Sequence, residues 1–423
     1  MRRQLIKYLP FLLVVLTITG VGQWLKVGHI PTFIVWTVAV WVLSGSWAGG
    51  MGSRIRPPWP VVLFLVLVAC NAVYGVFMAE GYWDYKNLVS NLLFFLMPSC
   101  IFCFSDMRVI QRCSRAQLIA LPVLLVLLYL FLYREGIVRL LYIVPFFLLF
   151  NRSLSPVSRL YVFVLTLCIL LLGDWNSRAT LIRLGGTFLL SLLLWISGAF
   201  SSGRTFRVGT VLIYVAPVVF LLLAVHTDFN IFKIGEDYEG KYVLEDEMVE
   251  GYEADLVGDT RTLIYMENIQ SAIQQGYYLW GHSMARGYTT ELYSDVDMIS
   301  WSRSERPDSE VGILNVFTHF GLVGVVLYTL IFIISSFRAL SRGRSREMKL
   351  LGVWIAFRWM LSWMEEFTMF DINNLYIWIA IAMCWSPAFL QADSLAFRRF
   401  INGCFPRVTV RKKDARFRSI NEN

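Results

Sequence analysis

Apolar windows of about 17 to 25 residues, each long enough to cross a bilayer, recur from one end of the chain to the other. About twelve can be drawn, at 8–27, 30–51, 58–79, 88–105, 117–133, 139–150, 159–175, 180–200, 208–226, 311–337, 350–370 and 374–390. The sixth is short, so about eleven spans plus a re-entrant piece is the alternative count. Backbone polar groups in hydrocarbon must pair internally, and unbroken apolar runs without alternation predict helices rather than a barrel. A composition of 57% hydrophobic and 16% charged residues lies outside the soluble range. The expected fold is an all-α polytopic membrane protein.

The net charge of +8 raises the question of nucleic acid, but its distribution answers it. With Met1 placed in the cytoplasm, Arg54, Arg108, Arg112, Arg115, Arg152, Arg159, Arg204, Arg207, Arg338, Arg342, Arg344, Arg346 and Lys349 share one side. The segment from Arg398 to Arg418 joins them, whereas the loop at 227–310 carries eighteen acids against six bases. This is the positive-inside pattern: it predicts both termini in the cytoplasm and attraction to anionic membrane lipids, with no nucleic acid partner. Arg2-Arg3 ahead of an apolar run resembles a signal peptide, but the many spans behind it favour an uncleaved first span. The seven cysteines avoid the exported loop, and Cys100-x-x-Cys103 inside an apolar run reads as helix packing.

The chain divides into a membrane domain at 1–226 (spans one to nine), a periplasmic loop or lid at 227–310, further membrane spans at 311–390, and a basic cytoplasmic tail at 391–423. There is no internal repeat of the transporter kind. The loop begins with the acidic "GEDYEGKYVLEDEMVEGYEADLVGD", a solvated flap. Next comes a predicted helix, capped by Asp259 or Thr260, with Leu263, Ile264, Ile269 and Ile273 at helical spacing and Gly276 as its stop. So long a loop is usually functional.

Charge is scarce in the spans, and where it occurs it is informative. In "LGDWNSRATLIRLGG", Asp174 ends an outgoing span and Arg178 opens the next helix, with Arg183 about 7 Å deeper at ~1.5 Å per residue. An arginine on a helix N-terminus is unfavourable unless an anion sits there, so the pair suits a phosphate or diphosphate on a lipid tail. Snorkelling, with Asp174 bridged to Arg178, is the structural alternative. In "WSRSERPDSEVGILNVFTHFGLVG", Arg303 and Arg306 precede a span that Asp308 and Glu310 cap or serve as bases. His319 lies inside that span, and a core hydrogen bond is its expected role. Arg358 sits mid-span, with Glu365, Asp174 or substrate as counter-charge. Loop aromatics Tyr277, Tyr278, Trp280, Tyr288, Tyr293 and Trp301 suit sugar rings or an interfacial belt equally. The four histidines, His29, His226, His282 and His319, are scattered, so no metal site and no cofactor are expected.

Several of these residues carry a resemblance. Ser177-Arg178 opens a central span, Arg261 leads the loop helix, Trp280-Gly281 follows, and Glu310 stands eleven residues before Gly321 of "GLVG". With the long loop before the last spans, this order over roughly 159–337 resembles the O-antigen polymerase/ligase superfamily, membrane glycosyltransferases of the GT-C class. The ligases are expected to carry His-Asn where Glu310-Val311 stands here, which is closer to the Wzy-type polymerases.

The resemblance implies a bacterial inner-membrane enzyme that polymerises oligosaccharide repeats carried on undecaprenyl diphosphate into a surface polysaccharide. It implies arginines at the diphosphate in place of a metal ion, and a chain-length regulator and flippase as possible partners. The family's pattern maps onto Arg178 and Arg261; Arg183, Arg303 and Arg306 join them by position and charge. Glu310 is the first choice of base, Asp308 the second and His282 an alternative. An O-antigen ligase acting on a lipid A core and a lipid-linked oligosaccharide flippase are the competing readings. A flippase would spread charge along several spans, whereas here it gathers at outer helix ends and in the loop.

Overall fold

The apolar windows fold as helices whose starts are set by short polar caps. The computed structural model describes residues 2–50, 55, 58–173, 178–193, 195, 203–226, 243–245, 253–255, 261–290, 305–366 and 368–406. Its helices are α1 (Arg2–Thr19), α2 (Thr32–Gly50), α3 (Trp59–Met78), α4 (Tyr82–Phe95), α5 (Met107–Leu128), α6 (Arg134–Leu140), α7 (Val144–Leu148) and α8 (Pro156–Leu172). They continue with α9 (Arg178–Leu192), α10 (Gly203–His226), α11 (Arg261–Gln274), α12 (Gly312–Arg342), α13 (Arg346–Leu361), α14 (Ile372–Trp385), α15 (Pro387–Gln391) and α16 (Ser394–Gly403). Asp106, Ser155, Ser345, Asp371 and Asp393 each accept a hydrogen bond from a backbone N–H of the first turn they precede.

Among the described residues, six stretches are long and apolar enough to cross a membrane: Ile6–Trp24, Thr32–Gly50, Trp59–Met78, Met107–Phe131, Gly203–Ala224 and Gly312–Arg342. Pro156–Leu172, Ala179–Leu192 and Ile372–Trp385 are apolar but shorter. The architecture is that of a helical, multi-pass membrane protein. Some windows that read as single spans are not single helices. The fourth joins α4 to a 3-10 turn at Met97–Phe102, and the sixth breaks into α6 and α7, with Pro145 opening the second. The window at 350–370 ends its helix at Leu361, so 362–371 is a loop. Cys100 and Cys103 are buried packing residues at the 3-10 turn.

The core draws on the whole chain, and its most enclosed long helices come late. On α14 every residue from Ile372 to Cys384 is buried, and α13 is nearly as enclosed. Such helices are apolar all round, which is why no amphipathic stripe marks them in the sequence. Outer helices such as α3, α5 and α10 keep exposed apolar faces, as lipid-facing helices do.

Helix α12 is interrupted at Gly321 (φ 62°, ψ −163°), a conformation close to glycine-only. The break frees backbone groups, and the loop after α11 pairs with them. Leu322 N–H donates to the Tyr278 carbonyl (2.9 Å), Val323 N–H to Leu279 (3.2 Å), and His282 N–H to Thr318 (2.7 Å). The Asn71 amide of α3 donates to the His319 carbonyl (2.7 Å) and accepts from Met284 N–H (2.9 Å), while Asn91 of α4 donates to the Met284 carbonyl. Irregular backbone is thus buried in protein with its polar groups paired, the condition for placing it among apolar helices. Trp280-Gly281 and Gly321, two of the motifs in the sequence, meet at this joint: a Cβ on Gly281 would overlap His319, and one on Gly321 would overlap Leu279 and Trp280.

Helix α11 forms where the spacing of Leu263, Ile264, Ile269 and Ile273 predicts it, and Gly276 follows at φ 75°. The acidic flap holds a short antiparallel pair, β1 (Val243–Glu245) with β2 (Glu253–Asp255), which the sequence did not suggest. β3 (Tyr288–Thr289) pairs with β4 (Glu305–Arg306). At one end of the bundle the tail is a docked helix, not a loose segment, over 394–403. Gln111 and Arg115 donate to the Phe400 and Gly403 carbonyls at the end of α16, and Asn402 bonds Ser155 N–H (2.6 Å) and the Ser153 carbonyl (2.9 Å). Arginines 115, 152, 338, 344, 346 and 398 gather at this basic end.

Candidate functional site

The opposite end holds the charged residues that are not explained by topology. Gly312 and Ile313 start α12 with N–H groups that no helical carbonyl can reach. They donate instead to the carbonyls of Glu365 (3.0 Å) and Ser362 (2.9 Å), which fixes the 362–371 loop beside Glu310. Asn315 ties the turn by bonding Ser309 N–H, the Ser309 carbonyl and Thr368 Oγ1. From the other side, α11 is latched to the same loop: Arg261 Nε donates to the Met364 carbonyl and Tyr265 to that of Trp363, both at 2.9 Å.

Between these elements lies a cavity of about 380 Å³. Arg139, Arg183 and Arg261 line it from three separate helices, facing Glu310, Glu365, Glu366 and Asp371. Arg183 Nη2 is ion-paired with Glu365 Oε2, and Arg358 Nη2 lies 3.5 Å from Glu365 Oε1 and 3.1 Å from the Asn373 amide oxygen. All three charged side chains are almost wholly enclosed, so one carboxylate offsets two buried cations. The Arg183 guanidinium also lies over the Tyr142 ring, 4.3 Å from its centroid. Its Nε and Nη1 have no hydrogen-bond acceptor among the described residues. Arg139 is held by Glu135 at 2.7 Å and by the face of Trp24 at 3.7 Å.

Glu366 accepts from Thr368 Oγ1 (3.1 Å) and sits half-buried in the loop. Burial pushes its carboxyl from 4.5 up to about 7, against the pull of Arg139. Asp371 is raised too, again by burial, although Asn374 N–H and the arginines pull the other way. A raised carboxyl is protonated more readily in the fold than in the unfolded chain. Its contribution to stability is therefore full below about pH 4.5 and is lost as the pH climbs to about 7. Thermal melts of the detergent-solubilised protein between pH 4.5 and 7.5, at roughly half-unit steps, check this. Glu366→Gln should flatten the decline through that window; an unchanged slope would contradict the assignment.

A second cluster surrounds the joint at Gly321. His282 is buried, donates from Nδ1 to the Gly287 carbonyl (2.8 Å), and is stacked on Tyr277 at 4.6 Å. Burial lowers its pKa. His319 is fully buried, with Nδ1 3.0 Å from the Ser283 carbonyl and Nε2 3.3 Å from Asp308 Oδ1. Core hydrogen bonding thus occupies both of its nitrogens. Arg306 reaches Glu310 (3.3 Å) and the Tyr288 hydroxyl (3.4 Å), linking this cluster to the cavity. Arg286 and Glu305 form a further ion pair; each holds the other charged, Glu305 below and Arg286 above its ordinary value.

Of the residues singled out in the sequence, the cavity brings together Arg183, Arg261 and Glu310, with Arg306 against Glu310 and Arg358 behind Glu365. Asp308, His282 and His319 line the joint instead. Asp174, Arg303, Asp259, Thr260 and the side chain of Arg178 lie outside the described residues. Sequence reasoning missed Arg139, Glu366 and Asp371. A signal existed: Arg139 is a charge at the head of a broken apolar window, and "MEEF" puts two carboxylates at a span end. Of the loop aromatics, Tyr277 and Tyr288 are buried in the joint, whereas Tyr278 and Trp280 are exposed.

Beside the cavity runs an apolar groove of about 750 Å³ between α10 and α11. Pro217 and Phe220 form one wall, Met266, Ile269 and Ile273 the other. Arg261 and Glu365 line the charged cavity while their neighbours Thr262 and Met364 line the groove, so the two are back to back. No family model, curated protein or solved structure matches the chain.

Proposed function

We propose that this chain is a metal-independent membrane glycosyltransferase that polymerises oligosaccharide repeats carried on a lipid diphosphate. The observation that carries the reading is the pairing of the two cavities. One is charged, lined by three arginines, with donors on the buried Arg183 unsatisfied among the described residues; the other is an apolar groove of about 750 Å³. Diphosphate in the first and prenyl chain in the second is the arrangement such a substrate requires. The order of Arg178, Arg261, Trp280-Gly281, Glu310 and Gly321 is similar to that of O-antigen polymerases, which narrows the carrier to undecaprenyl diphosphate. In this reading the chain crosses a bacterial inner membrane about twelve times in a GT-C-like arrangement. Both termini are cytoplasmic and the charged cavity faces the periplasm.

In the transfer step the acceptor hydroxyl oxygen bonds to the donor's anomeric carbon as the carbon–oxygen bond to the diphosphate breaks. The bonding electrons leave with the lipid diphosphate, where fixed guanidinium donors stabilise the charge. The hydroxyl proton passes to a carboxylate. Glu310 lies at the cavity mouth, and Glu366, held near neutrality, is the better matched base at pH 7.

The test is a ladder assay with purified protein and undecaprenyl-diphosphate-linked repeat units, with and without EDTA. Wild type should build a ladder under both conditions. Arg261→Ala should slow it by about 10²–10³-fold, the cost of removing one charge-stabilising donor. Glu310→Gln and Glu366→Gln separate the two bases. Absence of any ladder, together with lipid crossing the bilayer in proteoliposomes, would establish the flippase instead. Transfer of a single block to a lipid A core would establish the ligase.

A further inference from the structure

The basic end of the bundle carries a site that glycosyl transfer does not use. Arg152, from the turn before α8, Arg346, the first residue of α13, and Arg398, on α16, border a cavity of about 180 Å³. Its floor is Glu347, a buried carboxylate. Both oxygens of Glu347 are already engaged: Oε1 accepts from Ser153 Oγ (2.7 Å) and Oε2 from Ser394 Oγ (2.8 Å). Among the described residues none of the three arginines forms an ion pair. Glu347 of α13 ties its helix to the 153–155 turn and to α16, and Asn402 ties α16 to the same turn, so the guanidinium groups surround a fixed concavity and not a loose surface.

Three cations over one committed carboxylate leave a net positive pocket that suits a phosphate group. Two further features select a lipid phosphate over a soluble one. Helix α16 buries Phe397, Phe400 and Ile401 on one side and exposes Leu395, Arg398 and Arg399 on the other, as an interfacial helix does. Just past the Arg152 turn, α8 exposes Val157, Leu160, Val164, Leu167 and Leu171, one continuous stripe at helical spacing leading away from the arginines. The geometry points to a binding site for the phosphodiester headgroup of an anionic phospholipid, its acyl chains lying along α8.

Native mass spectrometry of the protein in neutral detergent tests it, with phosphatidylglycerol or phosphatidylcholine supplied as the probe. Wild type should retain phosphatidylglycerol at least about tenfold more than phosphatidylcholine, and Arg152→Gln/Arg346→Gln/Arg398→Gln should lose that excess. Arg398→Gln alone, an exposed change that leaves the fold untouched, should lose several-fold. A matched triple at the same end, Arg108→Gln/Arg342→Gln/Arg399→Gln, should keep the preference. If both triples lose it equally, the attraction is diffuse and no site exists. If millimolar inorganic phosphate displaces the lipid, the pocket takes a soluble anion and the lipid assignment falls.

Discussion

Glu365→Ala is expected to cost about 3–5 kcal/mol of stability and to bring the thermal midpoint of the detergent-solubilised protein down steeply. The carboxylate faces Arg183 and Arg358 together, and all three side chains are nearly inaccessible. Its removal takes from two buried cations the carboxylate they share, whereas Arg358→Met leaves the Arg183 pair intact and should cost less. Replacing all three with methionine should recover much of the lost midpoint, because apolar packing often matches or exceeds a buried ion cluster. That triple variant should nevertheless make no ladder, since Arg183 belongs to the cavity. Stability and activity are thereby read separately. A Glu365→Ala midpoint equal to wild type would show that the cluster is hydrated or rearranged, and the account of the cavity would have to change.

The second large effect is expected at the break in α12. Gly321→Val adds a branched side chain where φ is 62° and ψ −163°, a region that costs about 1–3 kcal/mol for other residues. It also drives Cβ into the Leu279 and Trp280 backbone, which cannot swing aside as a side chain would. Together these should exceed about 3 kcal/mol and expel the 277–290 loop from its seat. Limited proteolysis reads this directly: cleavage in that loop should become fast in Gly321→Val and stay slow in wild type. Gly185→Ala is the control, with open space around it in a helix, and should be neutral or slightly stabilising. Equal protection in Gly321→Val would mean that the loop does not depend on the joint.

How much of this was legible follows from the range of the forces involved. Helix positions were, because each apolar run is a local property and Pro156, Ser345 or Asp371 mark starts locally. The α11 helix and its stop at Gly276 were legible for the same reason. Breaks were less so. Pro145 hints at the divided sixth window, but nothing local in "GLVG" tells Gly321, where the helix breaks, from Gly324, where it does not. The charged cavity was half visible. Arg183, Arg261 and Glu310 stand out as charges in or beside apolar sequence, but Arg183 meets Glu365 across 182 positions. No spacing rule reaches that far. Asp371 joins them through the loop that α12's first N–H groups fix, and Arg139 from α6, held by Glu135 and Trp24.

The burial of α13 and α14 has a consequence for how the molecule is made. Ribosomes deliver the chain from its N-terminus, so two of the most enclosed helices emerge late. Until they arrive, the faces of α1, α9, α10 and α12 that pack on them are uncovered. A nonsense mutation anywhere before α14 therefore removes the middle of the structure and not its edge.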